Sequence, residues 1–158
     1  MRKIILYVLF ISAINIFIQA QVTQQWVQRY STGNHNDNAK SIAIDGSGNV
    51  YITGESSIPS SGFDFITIKY NSSGVQQWLQ RYNGPGNYDD KANSIAVDAA
   101  GNVYVTGSSV GSGTLHTSMT TVKYNSSGVQ QWVQRYNDPT THDDNSYSVL
   151  LMLREMCT

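Results

Sequence analysis

Ser41-Ile42-Ala43-Ile44-Asp45-Gly46-Ser47-Gly48-Asn49-Val50-Tyr51-Ile52-Thr53-Gly54 returns fifty-three residues later as Ser94-Ile95-Ala96-Val97-Asp98-Ala99-Ala100-Gly101-Asn102-Val103-Tyr104-Val105-Thr106-Gly107. Each copy sets two short runs of alternating, largely β-branched residues on either side of an Asp-x-x-Gly turn. There the aspartate accepts backbone hydrogen bonds and the glycine relieves the backbone. A second block follows in phase: Lys69-Tyr70-Asn71-Ser72-Ser73-Gly74-Val75 recurs unchanged as Lys123 to Val129. A third appears three times, as Gln24 to Tyr30, Gln76 to Tyr82 and Gln130 to Tyr136, varying only at Val27, Leu79 and Val133. The tryptophans at 26, 78 and 132 fix the period at 52 and then 54 residues. Self-similarity at that length is the mark of a repeat architecture.

Within one unit the alternation predicts four strands. The first, 40–45, carries Ile42 and Ile44, and the second, 49–54, alternates Val50 and Ile52 with Tyr51 and Thr53. The third, 64–70, puts Ile66, Ile68 and Tyr70 on one face, and the fourth covers 75–82. Four antiparallel strands in a repeat of this length describe one propeller blade. The expected fold is therefore all-β, a partial β-propeller. It comprises a lone N-terminal outer strand (22–30), two complete four-stranded blades (38–82 and 91–136) and the opening of a third (143–149).

The combination Ser-Ile-Ala-x-Asp-x-x-Gly-Asn-Val-Tyr-x-Thr-Gly, then Lys-Tyr-Asn-Ser-Ser-Gly and a Trp strand, resembles the SBBP-type (seven-bladed) β-propeller repeat of secreted bacterial proteins. The likeness covers 22–149 and implies fold and export. It supplies no shared catalytic residues.

Composition agrees and excludes several classes. The 158 residues carry a net charge of −1, with 13% charged residues, which argues against a broad basic nucleic-acid surface. One cysteine excludes an intramolecular disulfide framework. Arg2 and Lys3 precede an apolar run from Ile4 to Ile18, with the small Ala20 before Gln21. This is the pattern of a secretory signal peptide spanning 1–20 and cut after Ala20, giving a secreted, periplasmic or cell-surface product. The apolar run is shorter than the roughly 20 residues that span a bilayer, so no integral membrane segment is expected after its removal. Losing Arg2 and Lys3 takes the charge from −1 to −3.

The repeat breaks after Val149. Where it calls for Ala-Val-Asp-Ala-Ala-Gly-Asn-Val-Tyr, as at 96–104, residues 150–158 read Leu-Leu-Met-Leu-Arg-Glu-Met-Cys-Thr. One coding of the expected stretch is GCT GTT GAT GCT GCG GGA AAT GTG TAC. With its first base dropped it reads as the observed tail, and GTA ACA for the following Val-Thr then yields a stop. The tail is expected to be the repeat out of frame, and the in-frame parent a ring of six to eight blades, roughly 320–425 residues. A genuine short amphipathic or disordered terminus is the other reading.

The residues in repeat phase are Trp26, Trp78 and Trp132; Tyr30, Tyr82 and Tyr136; Asp45 and Asp98; Gly48 and Gly101; and Gly74 and Gly128. All are expected to be structural. The tryptophans should pack between blades rather than serve as sugar platforms, since an aromatic in the same phase fills the same wedge. Arg29, Arg81 and Arg135 should pair or stack beside them. Asp45 and Asp98 lack the acidic ligand series of a calcium loop and read as hairpin turns. Asp89-Asp90 and Asp143-Asp144, near Asn87 and His142, read as solvated loops ahead of a weak cation site. His35, His116 and His142 share neither phase nor spacing, and no Gly-x-Ser-x-Gly elbow occurs. Asn71 and Asn125 head glycosylation triplets that read as turns. Cys157 falls in the aberrant tail. No catalytic residue, metal or cofactor is expected. The sequence thus leads to an exported, non-enzymatic binding or scaffold module of unknown ligand or protein partner, able to self-associate through uncovered blade faces. A fragment of a polysaccharide-acting enzyme and a non-functional truncated product are the alternatives.

Overall fold

The alternating β-branched runs form eight strands in chain order: β1 (Asp37–Ile44), β2 (Val50–Ile58), β3 (Gly62–Tyr70), β4 (Gln76–Tyr82), β5 (Asp90–Val97), β6 (Val103–Val110), β7 (Thr117–Tyr124) and β8 (Gln130–Tyr136). They make two four-stranded antiparallel meanders, ordered β1-β2-β3-β4 and β5-β6-β7-β8. We call these blade 1 and blade 2. The computed structural model describes residues 23–31, 33, 36–113, 116–137 and 143–150. The expected export segment 1–20 lies outside them, as do 151–158 of the tail, His35, His142 and Cys157.

The four expected strands of each unit are present, and the second runs four residues further, to Ile58. The extension is polar, Glu55-Ser56-Ser57, yet Glu55 and Ser56 are buried. They stay in the ladder because Ser56 pairs across both neighbours, with Asp37 and with Asp64. Each blade also carries one bulge in its first strand, between Ala39 and Ser41 and between Ala92 and Ser94. An extra residue there bends the strand and increases its twist.

The two sheets stack face to face. The far face of blade 1 brings Tyr51, Phe65 and Tyr82 against Ile95, Val105 and Tyr124 on the near face of blade 2, forming the larger core cluster. Central strands therefore bury both faces, and Tyr51 is as fully enclosed as Val105. A smaller cluster on the near face of blade 1 holds Val50, Ile66, Ile68 and Tyr70. Trp26 and Tyr30 lie against it.

Residues 23–30 differ from the expected lone strand. They join neither sheet and instead lie across the near face of blade 1. An outer strand needs a third strand beside it to complete its ladder, and none of the described residues supplies one. Residues 143–150 likewise form no strand. They lie across the far face of blade 2 from β7 to β5, with Asp144 N–H donating to the Thr117 carbonyl, Asn93 Nδ2 to the Ser146 carbonyl and Val149 N–H to Ser94 Oγ.

Candidate functional site: the seam between the blades and the grooves at its ends

The repeat-phased aromatics build the seam. Trp78 lies on β4 with its ring over the turn that links β7 to β8, and its indole N–H donates to the Ser126 carbonyl at 3.2 Å. Trp26 repeats this one unit earlier, donating to Ser72 at 3.1 Å. Close approach of the ring depends on the turn glycine: a Cβ on Gly128 would stand 2.8 Å from Trp78, and one on Gly74 2.7 Å from Trp26. Trp78 also meets Tyr51 and Tyr124, with ring centroids 6.1 and 6.2 Å apart. Trp78 thus packs between the two blades, and Trp26 packs on the near face of blade 1. Among the described residues no blade stacks over Trp132, which is 38% exposed.

The arginines depart from expectation. Three residues along a strand reverse the face, so Arg81 and Arg135 project away from Trp78 and Trp132 of their own strands. Arg135 donates to Tyr82 Oη (3.0 Å), Ser109 Oγ (2.7 Å) and the Ser109 carbonyl (2.8 Å). Arg81 makes the corresponding bonds to Tyr30 Oη, Ser56 Oγ and the Ser56 carbonyl, and adds an ion pair with Asp64 at 3.0 Å. Each guanidinium pins its own second strand to the outer tyrosine of the preceding layer. Arg29 is exposed.

Asp90 is a second correction. It does not sit in a solvated loop but opens β5 and is fully buried, as is Asp64. It joins the strand because the ladder to Ser109 holds it, and its carboxylate accepts from Gly84 N–H. Desolvation pushes its carboxyl above the ordinary range; hydrogen bonds from Ser109 and Gly84 oppose this, and the charge of Asp64 adds to it. Neighbouring Asp89 is exposed and accepts from Phe63 N–H at 3.1 Å. Asp143 repeats that bond to Thr117 N–H at 2.8 Å and stands 3.7 Å from His116.

At one end of the seam the two Asp-x-x-Gly turns flank a groove of about 540 Å³, lined by Asp45, Tyr51, Lys69, Asp98 and Ser126 among others. Asp45 accepts from Ser47 N–H, Asn49 N–H, Asn49 Nδ2 and Tyr51 Oη at 2.8–3.0 Å. Asp98 repeats all four with Ala100, Asn102 and Tyr104. Partial burial works against ionisation of both carboxyls, and these hydrogen bonds outweigh it, holding them below the usual range. Burial, then the Asp45 bond and charge, raises the Tyr51 phenol. Lys69 lies over the Tyr51 ring at 5.2 Å and reaches the Ser126 carbonyl at 3.4 Å. The aspartates are therefore turn formers with their lone pairs in use. Gly48 and Gly101 close these turns at positive φ, as Gly74 and Gly128 close the Asn-Ser-Ser-Gly turns.

The opposite end holds an open groove of about 480 Å³ between the β2–β3 and β4–β5 loops. Pro59, Ser60, Asn87, Tyr88, Asp89 and Val110 are among its lining residues, and Tyr88 is exposed. Asn87 adopts φ 54°, held by Nδ2 donating to the Ser60 carbonyl and by Asn83 donating to its Oδ1. Sequence reasoning marked Asn87 and Asp89 as a solvated loop but not the groove, because Tyr88 does not recur in phase and the pairing of the two loops is made by the fold. Gly54 and Gly107 were also missed. They press on the bulged first strands, where a Cβ would meet the Asn38 or Lys91 carbonyl within 2.1 Å or less. Among the described residues, no three His, Cys, Asp or Glu side chains come together in a group that could hold a metal ion.

Four-stranded meanders of one repeat, stacked face to face in phase, are the blades of a β-propeller. The family model of the SBBP beta-propeller repeat matches residues 25–59 and 77–113, one stretch for each blade and the Trp segment before it. No curated protein matches the chain. Each match begins on the Trp segment of one layer and ends beyond the second strand of the next, so the family's unit straddles a seam. Among the described residues no helix is long and apolar enough to cross a membrane.

Proposed function

We propose that the chain is an exported, non-enzymatic propeller module whose loops form a binding surface. The observation that supports this most is the contrast between the two ends of the blades. At the turn end both repeats have Asp-x-x-Gly-Asn and Asn-Ser-Ser-Gly, and their side chains hold the backbone. At the loop end the repeats diverge: Pro59-Ser60-Ser61-Gly62 in one stands against the longer 111–116 in the other, and Gly84-Pro85-Gly86-Asn87-Tyr88 against 138–142. Variable loops on a constant frame are where recognition is usually placed.

An exposed tyrosine flanked by amide, hydroxyl and carboxylate groups suits a polyhydroxylated or peptide ligand. The Arg2-Lys3 start and the apolar run behind it support export. Binding to arrayed glycans and peptides, compared with a Tyr88→Ala variant, tests the surface. Binding lost on Tyr88→Ala supports it, and binding indifferent to Tyr88 overturns the assignment of this groove. Release of reducing sugar from any bound glycan overturns the non-enzymatic reading. Fractionation of an expressing cell, with the mature chain beginning at Gln21, tests export.

A further inference from the structure

Each half of the internal joint recurs on an outer face that the described residues cover only in part. Trp132 and Tyr136 on the far face of blade 2 repeat Trp78 and Tyr82, and Tyr136 is 56% exposed where Tyr82 is 8%. Ile42 and Ile44 on the near face of blade 1 repeat Ile95 and Val97. They are 61% and 63% exposed, whereas Ile95 is 6%. The near face of blade 1 also carries the receptors that blade 2 uses: Gly74, the Ser72 carbonyl and Arg81 stand where Gly128, the Ser126 carbonyl and Arg135 stand. The two outer faces are therefore complementary by the same residues that already fit together inside the chain, although Trp26 and Tyr30 engage the receptors of one of them.

We propose that a second copy of this chain docks head to tail, the far face of blade 2 covering the near face of blade 1. Trp132 then packs on Gly74 and donates to the Ser72 carbonyl, and Tyr136 accepts from Arg81. Two segments of the chain lie across parts of these faces, and each resembles what the incoming copy brings. Residues 26–30 hold the outer half of the near face with the Trp-x-Gln-Arg-Tyr spacing of 132–136, and 143–150 hold the inner half of the far face where β1 of the next copy belongs. Exchange replaces each short segment with the edge of a full blade. It keeps the same contacts and adds cover for Ile42 and Ile44, which residues 23–30 leave bare. Because the two faces differ, the contact is heterologous and propagates until the rotation closes. Two, three or four copies give four, six or eight blades, within the range of closed propellers.

The inference adds a partner to the module reading and rests on the propeller fold, not on the loop groove. Its test uses no ligand, so failure here leaves the groove untouched. Light scattering of the purified chain over a concentration series should show discrete species at whole multiples of its mass. Tyr136→Arg and Ile44→Lys change exposed side chains on opposite faces. Each should keep the wild-type circular dichroism spectrum and run as a monomer. Mixed in equal amounts they should give a one-to-one heterodimer and nothing larger, since only one competent face remains on each. A wild-type chain that stays monomeric throughout overturns the proposal. So do single variants that still assemble, or a mixture that does not pair.

Discussion

Three tyrosines hold one place in three repeats and experience three environments. Tyr30 is half-buried, Tyr82 is enclosed and bonded to Arg135, and Tyr136 stands largely in solvent. Tyr82→Phe leaves a half-buried guanidinium one acceptor short and should cost about 1–2 kcal/mol in chemical denaturation. Tyr136→Phe should change stability by less than about 0.5 kcal/mol in the monomer. Equal losses at both positions would show that cover does not set the value of the bond. Gly128→Ala combines a positive φ with a Cβ driven into the Trp78 ring, and a loss of about 2–4 kcal/mol is expected in the same assay.

The acids of the two environments titrate in opposite senses. Asp45 and Asp98 have lowered values in the folded chain, so the stability they add is present above the unfolded value of 3.8 and is lost as pH falls below it. Asp90 has a raised value, so the folded chain holds its proton more tightly and stability declines as pH rises through the folded value. The difference in Tm between Asp90→Asn and wild type should accordingly be more favourable to the variant at pH 7 than at pH 4. A difference independent of pH would show that Asp90 does not titrate in this way.

At the scale of elements, periodicity placed all eight strands, because alternation of β-branched residues survives whatever lies on either side. It did not tell which face is buried. In β2 the answer is both, since blade 2 lies against one side and Trp26 and Tyr30 lie against the cluster on the other, and a polar stretch such as Thr53 to Ser56 is then retained in the ladder. Nor did it show that 23–30 lie unpaired, because the sequence of an outer strand is the same with or without its neighbour. The unequal cover of equivalent strands gives a direct test. Ile95→Lys should destabilise the monomer by about 3–5 kcal/mol, whereas Ile42→Lys should leave it within about 0.5 kcal/mol. Thermal melts of the two variants at low protein concentration check this.

Over the whole molecule the larger core cluster belongs to neither blade alone: Phe65 and Tyr82 come from one and Val105 and Tyr124 from the other. The blades should therefore unfold together. Phe65→Ala should reduce amide-exchange protection in β6 and β7 as well as in β2 and β3; a loss confined to blade 1 would mean the sheets are independent folding units. Repetition alone marked the phased residues, and among them Trp78 and Tyr82 lie in the joint between the blades while Trp132 and Tyr136 are exposed. The groove around Tyr88 was not legible, because Tyr88 itself does not recur in phase and the groove depends on which two loops the fold brings together.

The bond from Trp78 to Ser126 runs from one blade into the next, and Trp26 makes the equivalent bond to Ser72 from the segment before blade 1. Gene duplication that copied a blade from its first strand to its fourth would carry each tryptophan away from the turn it was shaped against. A copy taken from one Trp segment to just before the next keeps donor and seam residues on a single inherited piece and leaves every junction it creates identical to the last. Lengthening such an array is then a matter of unequal crossing-over between like sequences. Blade number can change in a single event without any new surface having to evolve.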